Sequence, residues 1–407
     1  MTKYVVILGD GMPDYKVPQL DDRTPLEAAR TPNMDFLAGK GIMGMVKTIP
    51  QGYPPGSDVA NLSVMGYDPA RYYTGRSPLE AVSMGVDLQE EEVAFRCNLV
   101  TLSEASSFTE KVMVDYSAGE ISTGEAARLI EGIGKELGGG EFSFYPGISY
   151  RHLMVWKGGP DDIDLTPPHD ISDQKIGPYL PSGDQGQKLR DLMKKSYEIF
   201  SRHPVNQSRR EKGQPPANCI WLWGQGRKPR LKSFKDKYGL TGSVISAVDL
   251  IKGIGLCAGL EVVEVPGATG NIHTDFLGKA KAALEELEKG KDFIYLHVEA
   301  PDEAGHQGKV EDKIKAIEEI DEKVVGEILR GLENHKEYNL MVLSDHPTPL
   351  KIKTHVEDPV PFVIYRGKDS SPGKAAGFSE EEAEKTGIFL ESGPRLMDYF
   401  LGKISCH

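Results

Sequence analysis

The residues of this chain that could do chemistry fall in four short segments that lie far apart in the sequence. The segments are Gly9-Asp10-Gly11, Gly56-Ser57-Asp58, Asp302-Glu-Ala-Gly-His306 and Ser344-Asp345-His346, with His355 close behind the last. Aspartate oxygens together with imidazoles are the mixed ligand set of Mn²⁺ or Zn²⁺ sites, and two such ions about 3.5–4 Å apart clamp a transferring phosphoryl group. The set therefore predicts a two-metal phosphoryl-transfer site in which Ser57 is the nucleophile.

Each segment taken alone has a simpler explanation. An aspartate after an apolar run, such as Asp10, is often a turn or cap residue, and a serine within Pro-Gly-Ser-Asp is usually a turn or N-cap residue. Asp302 and His306 are four residues apart, a spacing that also suits a surface ion pair. The combination is more specific, because Asp10 and Asp345 both follow short apolar runs. In open α/β sheets, ligands collect at the carboxyl ends of such strands.

The elements that must position these residues alternate between strand-like and helix-like patterns. Short, nearly continuous apolar runs are typical of strands buried on both faces of a mainly parallel sheet, and they occur at Tyr4–Leu8, Phe293–Val298, Leu340–Leu343 and Phe362–Tyr365. Between Val310 and Ile328, apolar residues recur at intervals of three and four, which predicts one amphipathic helix. The pattern predicts an α/β core with helices covering a mainly parallel sheet.

The middle of the chain has a different composition. We predict strands at Val112–Tyr116 and His152–Trp156, helices at about 123–137 and 187–202, and long loops rich in Pro and Gly. Because the proposed metal ligands lie only before and after this region, we interpret residues 86–215 as a smaller α+β domain inserted into a metal-binding domain formed by 1–85 and 216–407. The glycine cluster 132–140 lacks the P-loop pattern and follows a helix, so we interpret it as a helix C-terminus.

Charge and cysteine content exclude several classes of function. Lys and Arg number 48 against 61 Asp and Glu, and a net charge of −13 argues against a nucleic-acid partner. No apolar run approaches the roughly 18 residues that span a bilayer, and the first strand leaves no room for a signal peptide, so we expect a cytoplasmic protein without a membrane partner. Cys97, Cys219, Cys257 and Cys406 are far apart without a Cys-x-x-Cys motif, which predicts reduced thiols, three of them in the core.

The chain resembles the cofactor-independent phosphoglycerate mutases of the alkaline phosphatase superfamily, in the shorter branch typical of archaea and also found in bacteria. The resemblance covers nearly the whole chain and rests on Leu8-Gly-Asp-Gly-Met12, Thr24-Pro-Leu-Glu-Ala28, Thr31-Pro-Asn33, Pro55-Gly-Ser-Asp-Val-Ala-Asn61, Tyr73-Thr-Gly-Arg-Ser-Pro-Leu-Glu80, Asp302-Glu-Ala-Gly-His306 and Ser344-Asp-His-Pro-Thr-Pro349. It implies an alkaline-phosphatase-like three-layer core and an isomerase of glycolysis and gluconeogenesis. Such an enzyme interconverts 3-phosphoglycerate and 2-phosphoglycerate through a phosphoserine, without bisphosphoglycerate.

The resemblance also implies roles for single residues. Asp10, Ser57, Asp345 and His346 would hold the metal ion that activates the serine, and the second ion would be held by Asp302, His306 and His355. It favours Mn²⁺ as the ion at both sites, with Zn²⁺, Co²⁺ or Mg²⁺ as alternatives. The chain departs from its relatives at Glu120, where they often have His, so a substrate-binding or acid–base role does not carry over to that position.

The inserted domain is expected to enclose a small phosphorylated substrate and to bind its carboxylate and hydroxyls. The candidates for this role are Arg151, His152, His169 and Asp170, with Arg227 and Lys252 beyond the second boundary, while Arg76 is also open to a structural role. The rival function is a homoserine kinase-like phosphotransferase of the same family, followed by a metal-dependent phosphatase and an inactive metal- or metabolite-binding protein. The chain has neither a P-loop nor the Gly-rich loop of protein kinases, which favours the mutase.

Overall fold

The computed structural model describes residues 2–367, 373 and 375–404, and the chain divides into two compact units. The first unit comprises residues 1–73 and 230–407, and the second comprises residues 74–229. The predicted inserted segment, 86–215, lies inside the second unit. The unit extends beyond it on both sides because a helix at 77–83 and a strand at 219–226 pack against a central strand of that unit.

Strands and helices alternate along most of the chain. The strands are β1 (Lys3–Gly9), β2 (Ile42–Val46), β3 (Glu92–Leu102), β4 (Met113–Asp115), β5 (Phe142–Tyr145), β6 (Arg151–Lys157), β7 (Cys219–Gly226), β8 (Gly242–Ile245), β9 (Glu261–Val262), β10 (Phe293–Val298), β11 (Tyr338–Leu343), β12 (Val360–Tyr365) and β13 (Phe389–Leu390). The α-helices are α1 (Pro25–Ala28), α2 (Pro32–Lys40), α3 (Ser57–Val64), α4 (Pro69–Tyr72), α5 (Ser77–Ser83), α6 (Thr123–Glu136), α7 (Gly183–Ser201), α8 (Pro204–Glu211), α9 (Phe234–Tyr238), α10 (Asp249–Cys257), α11 (Phe276–Glu288), α12 (Ala300–Gln307), α13 (Val310–Glu319), α14 (Gly326–Leu332), α15 (Glu380–Lys385) and α16 (Gly393–Phe400). Short 3₁₀ helices lie at Pro18–Leu20, Phe108–Glu110, Pro168–Ile171 and Gly177–Tyr179, and a π-helical segment lies at Ile320–Val325.

The first unit is built on one sheet with the strand order β13-β2-β12-β11-β1-β10-β8-β9. β1 runs parallel to both of its neighbours, β10 and β11, whereas β12 runs antiparallel to both β11 and β2. Val5 and Ile7 pack against the helices on one face, including Phe276 of α11, while the ring of Tyr4 meets Phe400 of α16 on the other face. The predictions of an α/β core and of a mainly parallel sheet are confirmed.

The amphipathic pattern from Val310 to Ile328 forms a continuous helical path that is not a uniform α-helix. α13 passes through the π-helical segment into α14. Asp321, within that segment, accepts hydrogen bonds from the backbone N–H groups of Asn33 and Met34 at the N-terminus of α2, at 3.2 and 2.7 Å. The spacing of apolar residues predicts which face of the helix is buried, but it does not predict the change from α-helix to π-helix. The hydrogen bonds from the α2 N-terminus to Asp321 join residues that are distant in the sequence, so spacing does not reveal them either.

The second unit contains an antiparallel sheet in which β3 lies between β6 and β7, β5 pairs with β6, and β4 pairs with the end of β3. Helices α6, α7 and α8 pack together, and α7 covers β7. The predicted helices in this region are confirmed, and the glycine cluster 132–140 spans the end of α6, as expected. The two ends of the unit meet, since Thr74 Oγ1 donates a 2.6 Å hydrogen bond to the Arg227 carbonyl oxygen.

The four cysteines were expected to be reduced thiols, three of them in the core. Cys97 and Cys219 are buried and Cys257 is half-buried, whereas Cys406 lies outside the described residues.

In the part of the chain that the structure describes, no helix combines the length and the apolar character needed to cross a membrane.

Candidate active site

The metal ligands predicted from the sequence all lie in the first unit, where the carboxyl ends of three neighbouring parallel strands bring them together. Asp10 follows β1, α12 follows β10 and carries two ligands, and Asp345 follows β11. Ser57 is the first residue of α3. The residues that converge are Asp10, Ser57, Asp302, His306, Asp345, His346 and His355.

Asp302, His306 and His355 form one side of the site. His306 Nε2 lies 3.3 Å from Asp302 Oδ2, and His355 Nε2 lies 3.4 Å from Asp302 Oδ1. The two Nε2 atoms are 2.9 Å apart. His306 Nδ1 lies 3.0 Å from the Lys353 carbonyl oxygen, which can only accept, so Nδ1 carries the proton and Nε2 of a neutral His306 presents a lone pair. Two imidazole nitrogens and a carboxylate directed at one point suit a divalent cation.

Ser57 lies on the other side of the site. Its Oγ is 3.1 Å from His346 Nε2, and the same nitrogen lies 3.4 Å from Asp345 Oδ2 and 3.7 Å from Asp10 Oδ1. Because Ser57 begins α3, its side chain sits where unpaired backbone N–H groups and the positive end of the helix favour an anion. The arrangement places a hydroxyl, an imidazole and two carboxylates within reach of one bound cation and one phosphate.

Three buried carboxylates give the site an excess of negative charge. Asp10, Asp302 and Asp345 are only 2, 6 and 0 % exposed. Burial, followed by the charges of Asp345 and Asp302, raises the pKa of Asp10 well above its ordinary value. Asp10 Oδ1 has no hydrogen-bond partner among the described residues. Buried charge that is left uncompensated in this way is costly, and the donor set fits the divalent cations that the family resemblance implies.

His297 is a site residue that the sequence reasoning missed. It belongs to β10, and its Nε2 lies 3.1 Å from Asp10 Oδ2 while its Nδ1 lies 3.2 Å from Ser246 Oγ. Burial lowers its pKa to about 4, so the ring is neutral. The sequence feature that could have identified His297 is its position as a histidine within the otherwise apolar run Phe293–Val298.

Among the described residues, the donor atoms fall into two groups that could each hold a cation, and the groups differ in part from the sets carried over by resemblance. One group is Asp10, His297 and Asp345, and the other is Asp302, His346 and His355. His346 therefore lies between the two sides of the site, close to Ser57 on one side and to Asp302 on the other. His346 is thus close enough to bind a cation on either side, with Asp10 and Asp345 or with Asp302 and His355.

The comparisons with known proteins agree with this geometry. The model of the 2,3-bisphosphoglycerate-independent phosphoglycerate mutase family matches residues 38–206, and that of type I phosphodiesterases and nucleotide pyrophosphatases matches residues 227–360. A protein of Geobacter sulfurreducens named "Probable 2,3-bisphosphoglycerate-independent phosphoglycerate mutase" is 54% identical over 98% of this chain and 100% of its own. A mutase of the same family name from Methanosarcina barkeri is 52% identical, over 95% of this chain and 96% of its own. The chain belongs to the 2,3-bisphosphoglycerate-independent phosphoglycerate mutase family.

Solved structures support the same fold for this mutase family member. A Pyrococcus horikoshii protein of 32% identity superposes with a TM-score of 0.81, covering 99% of this chain and 98% of its own. The cofactor-independent phosphoglycerate mutase of Thermoplasma acidophilum, 27% identical, covers the whole of both chains with a TM-score of 0.66. The resemblance stated from the sequence motifs is therefore confirmed, and with it the assignment of the chain to the isomerases.

Within the second unit of this family member, three arginines gather around Glu80. Arg76 Nε lies 3.0 Å from Glu80 Oε1, and Arg96 Nε lies 3.3 Å from Glu80 Oε2. Burial would raise the pKa of Glu80, but the charges of Arg96 and Arg76 outweigh it and hold the pKa below its ordinary value, with Arg151 adding to their effect. Glu80 thus contacts two guanidinium groups and lies within the electrostatic influence of a third, so the cluster has an excess of positive charge.

Aromatic residues extend this arginine cluster. The guanidinium of Arg96 lies 4.7 Å from the ring centre of Trp223, and the ring of His169 lies 5.5 Å from the same tryptophan. Arg96 was not among the residues singled out from the sequence. The feature that could have identified it is a charged residue inside the apolar run of β3, where the residue is 6 % exposed.

The other substrate-binding candidates have different surroundings. His152 is buried, and its Nδ1 accepts a hydrogen bond from the Gly147 N–H, which argues for a structural role. Arg227 pairs with Asp161, and Lys252 pairs with Glu264, so each is engaged by a neighbouring acid. Asp170 forms an exposed pair with His169. Glu120 is exposed and lies in a turn with its φ at +50°.

Proposed function

We propose that the chain interconverts 3-phosphoglycerate and 2-phosphoglycerate through a phosphoserine at Ser57, in a reaction that needs divalent cations and no bisphosphoglycerate. The observation that carries the proposal is the placement of Ser57 Oγ, 3.1 Å from His346 Nε2, at the start of a helix and beside the buried carboxylates of Asp10 and Asp345. Family membership and the names of the relatives support the same reaction.

The residues that would hold the cations are Asp10, Ser57, Asp345 and His346 on one side and Asp302, His306 and His355 on the other. His297 is a further candidate beside Asp10. When bound, such ions lower the pKa of a coordinated hydroxyl and neutralise phosphate oxygens during an in-line displacement. We propose Mn²⁺ as the ion, with Zn²⁺, Co²⁺ and Mg²⁺ to be compared with it in the assay.

The protein's own residues supply position and proton control. The bond from Ser57 Oγ to phosphorus forms as the bond from phosphorus to the substrate's O3 breaks, and the serine proton passes to the glycerate oxygen that leaves. In the second half, O2 of the same glycerate forms its bond to phosphorus as the bond from Ser57 Oγ to phosphorus breaks, and the proton of the O2 hydroxyl passes to Ser57 Oγ. The reaction is then balanced, with no group gained or lost. The α3 N-terminus favours the dianionic phosphoserine between the two halves.

We further propose that the arginine cluster of the second unit binds a carboxylate, with Arg96, Arg151 and His169 as the residues to test. Arginine suits this role because its planar fork binds a carboxylate through two hydrogen bonds. Retention of the glycerate between the two transfers is what separates a mutase from a phosphatase, since water must not reach the phosphoserine. The cytoplasmic location expected from the sequence stays a prediction.

The test is an enolase-coupled assay of 3-phosphoglycerate with Mn²⁺ and without bisphosphoglycerate or ATP. Ser57→Ala should lower turnover by at least about 30-fold, because it removes covalent catalysis. Ser63→Ala is the matched control, since Ser63 lies in the same helix and its buried Oγ has no hydrogen-bond partner among the described residues. Brief exposure to substrate should label Ser57 alone with phosphate. A silent assay combined with phosphorylation of homoserine from ATP would replace the mutase by the kinase.

A further inference from the structure

Thr348 lies between the two sides of the metal site and touches a proposed ligand on each. Its Oγ1 is 2.5 Å from Asp302 Oδ1 and 3.3 Å from His346 Nδ1. The residue is completely buried in the loop that follows β11. One hydroxyl therefore links the two sides of the site.

The position of this hydroxyl is fixed by close packing. A Cβ atom added to Gly11, whose φ is +64°, would lie 2.7 Å from Thr348 Oγ1, and one added to Gly305 would lie 2.9 Å from Thr348 Cγ2. The buried Lys313 ammonium donates a 2.9 Å hydrogen bond to the Thr348 carbonyl oxygen. Two glycines thus make room for the side chain, and a buried lysine holds its backbone.

The geometry assigns the hydrogens. An ionised Asp302 can only accept, so the single proton of the Thr348 hydroxyl is donated to Asp302 Oδ1. Thr348 Oγ1 can then only accept from His346, which requires the His346 proton to be on Nδ1. In neutral His346 this leaves the lone pair of Nε2 directed towards Ser57 Oγ, 3.1 Å away.

We infer that Thr348 is a positioning residue that selects the Nδ1–H tautomer of His346 and orients Asp302, so that both present lone pairs to the cations before these bind. The inference rests on the proposed two-cation site. Groups that hydrogen-bond to metal ligands in this way typically change metal affinity by about 10–100-fold when they are removed.

The test measures Mn²⁺ binding to the metal-free protein by calorimetry or by the electron paramagnetic resonance of free Mn²⁺, neither of which needs turnover. Thr348→Val keeps the shape and removes the hydroxyl, and we expect it to weaken binding by about 10–100-fold. Thr348→Ser keeps the hydroxyl and should bind within about threefold of the natural protein. Thr101→Val is the control, because it removes a buried hydroxyl from the second unit, where Thr101 Oγ1 donates to the Pro216 carbonyl.

Two outcomes separate this inference from the proposed function. If the natural protein fails to bind Mn²⁺, the two-cation site itself is wrong. If the natural protein binds two ions and Thr348→Val binds them equally well, only the inference is overturned.

A second measurement does not depend on how any Thr348 variant folds. Nitrogen NMR of the metal-free natural protein, with the His346 signals assigned by comparison with His346→Gln, should show a proton on Nδ1 and none on Nε2. A proton on Nε2 would overturn the inference.

Discussion

Asn61 and Asp345 are 284 positions apart in the chain, and Asn61 Nδ2 lies 2.9 Å from Asp345 Oδ2. The same amide nitrogen donates to the backbone oxygen of Ser57, also at 2.9 Å, and Tyr295 Oη donates to Asn61 Oδ1 at 2.7 Å. All three contacts agree on which end of the amide is nitrogen. Asn61 therefore joins the first turn of α3, which carries the proposed nucleophile, to a carboxylate of the proposed metal site.

We predict that Asn61→Leu weakens Mn²⁺ binding by about 10–100-fold and lowers the turnover number, because Asp345 loses the donor that orients it. Calorimetric titration and the coupled assay measure the two effects. Asn206→Leu is the matched control. Asn206 is equally buried in the second unit, where its amide bonds to the backbone of Phe200 and Ala217, so the control should lose stability without losing Mn²⁺ affinity. Unchanged binding in Asn61→Leu would refute the orienting role.

Removing the cations should destabilise the protein, because the buried carboxylates of Asp10 and Asp345 then lie close together without a cation between them. We expect Mn²⁺ at about 100 times its dissociation constant to add about 2.7 kcal/mol per site to the free energy of unfolding. Scanning calorimetry with chelator and with Mn²⁺ measures this. Asp10→Asn should stabilise the metal-free protein, since it removes one of the repelling charges, while it reduces the gain from Mn²⁺. Identical unfolding curves with and without Mn²⁺ would contradict the charge argument.

The buried pair of Lys313 and Asp14, with Nζ 2.7 Å from Oδ2, should make a large contribution to stability. Lys313→Met leaves the Asp14 charge buried and unpaired, and we predict a loss of about 3–5 kcal/mol in the free energy of unfolding. Urea denaturation measures the loss. Lys188→Met is the control, because the exposed Lys188–Glu141 pair has a similar separation of 2.8 Å, and surface pairs contribute only about 0–1 kcal/mol. Equal losses in the two variants would show that burial of the ion pair does not determine how much stability is lost when its lysine is replaced.

Glu380 should make stability fall as pH rises. Burial raises its pKa to about 7 from an ordinary value of 4.5, so the folded state holds this proton more tightly than the unfolded state does. The resulting stability is fully present below about pH 4.5 and is lost as pH rises through about 7, a change on the order of 3 kcal/mol. Glu380→Gln should remove this dependence in urea denaturation at about pH 5 and pH 8.

Glu382→Gln serves as the control for that experiment. Glu382 is in the same helix, but hydrogen bonds from Lys385 and the Ala376 N–H lower its pKa. Its replacement should leave the loss of stability with rising pH in place. If Glu380→Gln retains the pH dependence of the natural protein, a group other than Glu380 is responsible for the loss of stability with rising pH.

The convergence of the proposed metal ligands could be predicted from the sequence because most of them follow short buried strands, and parallel strands bring their carboxyl ends to one edge of the sheet. Their supporting partners could not. Asn61, Thr348 and His297 act through contacts with residues that are distant in the chain, and neither spacing nor composition records which carboxylate an amide or a hydroxyl will meet. The π-helical segment Ile320–Val325 was missed for the same reason, since Asp321 caps a helix that begins almost 300 positions earlier.

The boundaries of the second unit depend on pairings of the same kind. β7 pairs with β3 across more than 100 intervening residues, and α5 packs against β3 from the other end. Composition changes near the loops and not at these pairings, so a prediction based on Pro and Gly placed the boundaries inside the unit. Arg96 was missed for a similar reason, because its ion pair with Glu80 and its contact with Trp223 join residues that are distant in the sequence.

The contact between Thr74 and Arg227 bears on how this chain arose. A segment whose two ends touch can enter or leave a gene in a single recombination event, because the host strands on either side need neither new connections nor a new order. The same property offers a route to engineering. Exchanging residues 75–226 for the corresponding segment of a relative would therefore test whether this segment carries the determinants of substrate specificity.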